Sequence, residues 1–148
     1  MSGGDADAGR DAIVAALEGF PARLAATVAA AASKPVPAGE WGSKEVIRHL
    51  IACETDVHQA RLADLTTHQA PEWGWAEPGP WSGEPDLRLD QLLDRFAALR
   101  AATLDTVGAL DDVGWVRAGT HQILGTLDVH GLLASAVAHD AEHLEGLR

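Results

Sequence analysis

The run LDQLLDRFAALRAATLDTVGAL, residues 89–110, decides the fold class. Leu89, Leu92, Leu93, Phe96, Leu99, Thr103, Val107 and Leu110 recur in it at mostly three- and four-residue steps. That spacing gathers apolar side chains onto one stripe of an α-helix, whereas a half-buried strand needs them two apart. Gly108 and the pair Asp111 and Asp112 signal its end.

Toward the C-terminus, Val113 to Gly125 is broken by glycines and reads as loop with at most a short extended piece. Thr126 is then the expected N-cap of another helix, with Asp128 in its first turn and Val129, Leu132, Ala136, His139, His143 and Leu147 on one face. Toward the N-terminus lies Pro71 to Pro85, with four prolines and Trp73, Trp75 and Trp81. It is too rich in breakers for a helix and too long for a tight turn, so it is either a functional loop or a cover for one end of the fold. Before it, Ser43 is a candidate N-cap with Glu45 in the first turn, where the helix dipole favours negative charge.

The first stripe is Ile13, Leu17, Phe20, Leu24 and Val28, in which Pro21 is expected to kink the helix or divide it, and Lys34 to Gly42 is a connection. The chain thus reads as four helices, near residues 10–33, 44–66, 87–110 and 127–147. Residues 1–9 form a flexible lead-in, and residues 10–148 one all-α four-helix bundle with no sheet of more than two short strands.

Composition narrows the function. At 148 residues there is room for one core. The formal charge of −11, with basic residues scattered singly, argues against nucleic-acid binding. No run of about 18 apolar residues suggests a membrane span. The single cysteine, Cys53, rules out an intrachain disulfide and fits a reducing cytoplasm. Nucleophile-elbow, phosphate-loop and dinucleotide motifs are absent, which leaves metal chemistry.

His139 and His143 stand four apart, so their rings project from successive turns of one face. His49 shares a face of the second helix with Val46, Cys53 and Ala60. Inward histidines on two helices of a bundle can meet around one ion, or they can be core residues bonded to carbonyls or carboxylates. His58 and His130 lie nine residues from His49 and His139, about 900° of winding, and so fall on opposite faces. His121, in the loop before the last helix, can reach an open edge of the site, and His68 is expected in solvent. Cys53 reads as a small core residue, and Glu54 or Asp56 as the carboxylate that orients a ligand histidine.

Two runs resemble the DinB-like family of metal-dependent helix bundles: Trp41 to Leu50 with Glu54 and Arg61 after it, and Gly125 to Leu144. The resemblance implies a three-histidine site made of His49, His139 and His143 for zinc, nickel or a similar ion, often in a homodimer. It also implies a thiol-dependent transferase or isomerase, or a hydrolase, acting on a small molecule, with a low-molecular-weight thiol among the candidate co-substrates. The other class it leaves open is a non-catalytic metal-binding or stress-response bundle. Three imidazoles suit such ions and leave coordination positions free. In that setting Trp73, Trp75 or Trp81 are candidate walls and His121 a candidate proton carrier.

Overall fold

The computed structural model describes residues 3–148. Helix α1 spans Gly3–Ala31, α2 Ser43–Cys53, α3 Ala60–Thr67, α4 Leu89–Gly108, α5 Asp112–Val116 and α6 Val129–Gly146. A π-helical segment, Glu54–Gln59, joins α2 to α3 into one continuous rod. Strands β1 (Glu72–Trp73), β2 (Ala118–His121) and β3 (Gly125–Asp128) form a small sheet, β1 parallel to β2 and β2 antiparallel to β3. The four-helix bundle consists of α1, the α2–α3 rod, α4 and α6. Helix α1 packs on α4 and α6, α2 on α4, and the π segment and α3 on α6.

Several boundaries differ from the sequence reading. Helix α1 begins at Gly3, taking in most of the expected flexible lead-in; Met1 and Ser2 lie outside the described residues. Asp128, not Thr126, caps α6: its carboxylate accepts from the Gly131 amide at 2.8 Å, while Thr126 pairs with Thr120 in the sheet. Gly42 is the N-cap of α2 and Ser43 its first residue. The sheet has three strands where at most two were expected, because the dipeptide Glu72–Trp73 pairs along a distant hairpin and carries no periodicity of its own.

Pro21 does not divide α1, which runs through it unbroken. A proline lacks the amide that would bond the carbonyl four residues back, here that of Leu17. Arg100 supplies the missing donor, its Nη1 lying 3.0 Å from the Leu17 oxygen. By length and composition α1 is the one described helix that could cross a membrane. Its stripe of Leu17, Phe20, Leu24 and Val28 is instead the bundle's own core, each residue at most 2% exposed.

Two apolar clusters fill the interior. One holds Leu17, Leu62, Leu65, Trp73 and Leu133 near the sheet, the other Phe20, Ile47, Leu50, Phe96 and Leu144. Buried Arg100 reaches both: it bonds the Leu17 carbonyl and stacks on Phe20 and Phe96. Its guanidinium forks onto Glu54 at 3.0–3.1 Å and Asp140 at 2.9–3.0 Å, and Thr103 donates to Glu54 at 2.7 Å. Burial pushes the Asp140 carboxyl up to about 6, outweighing the opposing pull of Arg100.

The tryptophan loop is tied down at both ends. At β1, Thr120 and Gln122 donate to the carbonyls of Pro71 and Trp73 at 2.9 and 2.8 Å. Further on, the Arg48 guanidinium donates to the carbonyls of Trp81, Gly83 and Glu84 at 2.7–3.0 Å. A methyl group on Gly119 would fall 2.5 Å from the Trp73 ring and 2.7 Å from the Pro71 oxygen. Gly119→Ala is therefore expected to destabilise the fold by about 1–3 kcal/mol, the usual range for overpacking. Urea unfolding checks this, with Gly146→Ala as control, since nothing lies within 4 Å of a methyl there.

Candidate metal centre

Helix α6 presents His139 and His143 on successive turns, and α2 presents His49 opposite them. The three Nε2 atoms form a nearly equilateral triangle, with sides of 3.1 Å (His49 to His143), 3.2 Å (His139 to His143) and 3.3 Å (His49 to His139). Three nitrogens each about 2.0–2.1 Å from one ion stand about this far apart.

Tautomers sharpen the point. His49 is fully buried, and its Nδ1 lies 2.7 Å from the Pro78 carbonyl. A carbonyl only accepts, so Nδ1 carries a proton, which leaves Nε2 as the nitrogen able to present a lone pair to the triangle. Burial, reinforced by the neighbouring histidines, holds His139 near 3, and burial and His49 lower His143 as well. Both shifts favour the uncharged ring, and three mutually facing nitrogens cannot all be paired by N–H···N bonds, since each bond needs one donor and one acceptor. A cation between them removes that conflict. The Nδ1 of His139 is itself buried without a partner.

A fourth donor escaped the sequence reading. Glu77, half-exposed on the tryptophan loop, places an oxygen 3.8 Å from His49 Nε2, and His49, Glu77, His139 and His143 form a group able to hold a metal ion. No spacing rule could reveal it, because the loop's course depends on the sheet and on Arg48. Cys53 Sγ lies 3.5 Å from His49 Nε2 and 3.9 Å from His139 Nε2, and burial pushes its thiol up to about 12.

Glu54 and Asp56 do not orient a histidine: Glu54 is taken by Arg100 and Thr103, and Asp56 is exposed. The Pro78 carbonyl orients His49 instead. His130 and His68 are exposed, as expected. His58 is not on the far side. The i→i+5 turns of the π segment absorb an extra residue and set the downstream side chains back by about 100°, so the His58 ring lies 6.0 Å from that of His139.

His121 ends β2 beside a recess that also takes in Cys53, His139 and Trp75. Its Nδ1 accepts the amides of Ile123 and Leu124, both at 3.0 Å, in the hairpin that Gly125 closes with a φ of +79°. Nδ1 being an acceptor, the ring proton sits on Nε2. His121 can thus donate a hydrogen bond, but taking up a proton would break two others. Of the loop tryptophans only Trp75 borders the recess. Trp73 is buried with its indole N–H on Asp64, and Trp81 stacks on Arg48 and Arg95.

The sequence model of the DinB superfamily matches residues 6–147. The chain belongs to that superfamily. No curated protein matches it. Among solved structures, the chain resembles YfiT from Bacillus subtilis, described as a probable metal-dependent hydrolase with an unusual four-helix bundle topology. The similarity has a TM-score of 0.71 at 18% identity, over 99% of this chain and 86% of that one. It shows that this DinB-superfamily member shares the YfiT fold.

Proposed function

We propose that His49, His139 and His143 hold one divalent ion, zinc or nickel, and that the ion activates water or a small thiol in a hydrolase or thiol-transferase reaction. The observation that supports this is the triangle of Nε2 atoms, in which His49, bonded at Nδ1 to Pro78, has Nε2 left to present a lone pair. Neutral imidazoles favour such ions over magnesium or calcium, which prefer oxygen. A zinc ion so held lowers the pKa of bound water to about 7, and a coordinated thiol loses its proton.

Glu77 supports a second reading. If its carboxylate completes a tetrahedral set, the site is closed and the ion serves stability or sensing. Its exposure and its place on a loop favour a ligand that an incoming group displaces. Cobalt-substituted protein titrated with 2-mercaptoethanol separates the two. The expected result is a sulfur-to-cobalt charge-transfer band that saturates. A spectrum unmoved by thiol and azide in both the native protein and Glu77→Gln would establish the closed site.

A further inference from the structure

The recess beside the triangle has one strongly cationic wall. Arg61, on α3, lines it with His58, His121, Ser135 and Trp75, and the one carboxylate in its lining is Glu77. Its guanidinium makes one hydrogen bond, to the Gly74 carbonyl at 3.1 Å, and stacks over Trp73; among the described residues no carboxylate lies within ion-pair distance. A partly buried guanidinium with donors to spare, in a chain of net charge −11, is a selective place for an anion. His121 adds a second donor, since its Nδ1 is occupied and its proton sits on Nε2.

The recess is electrostatically graded. Arg61 and His121 line one end of it, near enough that Arg61, after burial, is what lowers His121. Glu77 lines the recess at its triangle end, with an oxygen 3.8 Å from His49 Nε2. The recess therefore runs from a positive wall to the histidine triangle, and its volume of about 70 Å³ suits the end of a small molecule.

We propose that Arg61 and His121 form a carboxylate subsite, so that the substrate is a small organic acid held by its anionic end with its reacting end toward the histidine triangle. This rests on the proposed metal centre only for where the reacting end goes. Arg61 selects the substrate, and a bidentate guanidinium–carboxylate pair is geometry that a point charge does not reproduce.

The test is calorimetric titration of zinc-loaded protein with propionate and with its neutral isostere propionamide. Propionate is expected to bind at least tenfold more tightly. Arg61→Gln should abolish that preference at unchanged zinc content, and Arg61→Lys should restore part of it. In the wild-type protein the Arg61 side-chain Nε–H resonance should move on saturation, a readout that needs no folded variant. Equal affinity for the two probes, or propionate binding that persists in Arg61→Gln and vanishes with the zinc, would overturn the subsite. Chelator-treated protein keeps the proposals apart: Arg61-dependent propionate binding in a chain that takes up no zinc would sustain the subsite and sink the metal centre.

Discussion

Arg100→Ala is expected to destabilise the protein by about 3–5 kcal/mol, the usual consequence of removing one partner from a buried ion pair. Arg100, Glu54 and Asp140 are each at most 3% exposed, so the change leaves two carboxylates facing each other without a counter-charge. It also strips the Leu17 carbonyl of the guanidinium donor that stands in for the Pro21 amide. For a chain of this size the melting temperature should fall by about 10 °C or more. Two further variants identify the cause. Arg100→Met combined with Glu54→Gln and Asp140→Asn should recover much of the loss, because it removes the charges together. Pro21→Ala should partly rescue Arg100→Ala by returning a backbone donor to Leu17, while doing little in the wild type. A melting temperature within about 3 °C of wild type for Arg100→Ala alone would contradict this account.

His139→Ala is expected to empty the proposed metal centre while leaving the bundle folded. The loss should exceed the roughly 10–100-fold that accompanies removal of a mere orienting partner, because a corner of the Nε2 triangle is gone. After dialysis against a mild chelator, elemental analysis should find about one equivalent of zinc or nickel in the wild type and almost none in the variant. Circular dichroism should remain that of a helical protein. The control is His130→Ala, an exposed histidine of the same helix. His58→Ala, which plain helical phase would have recommended, is unsuitable because its ring stands beside that of His139. A full equivalent retained in His139→Ala would refute the assignment.

What the sequence made legible was whatever repeats locally. The stripes of α1, α4 and α6 and the pairing of His139 with His143 are set by neighbours three and four residues away, and so could be read without a fold. His49 was placed by the same logic because it precedes the π segment. Glu77, Pro78 and Arg61 needed the tertiary path: a loop pinned by β1 and Arg48 brings the first two onto His49, and the altered winding turns the third into the recess. Pro21 misled because the donor that excuses it, Arg100, is 79 positions away in the chain.

The π segment has a consequence for how this protein can change. The α2–α3 rod carries one residue more than regular winding would need, and the surplus sits in the chain between His49 and Arg61. Taking out a single residue there would restore the regular helix and swing His58 and Arg61 by about 100° away from the recess, leaving His49 and Cys53 where they are. Every side chain in the site would still be present, yet the two halves would no longer address the same space. Their alignment is encoded in chain length, and a scan of substitutions would pass over it entirely.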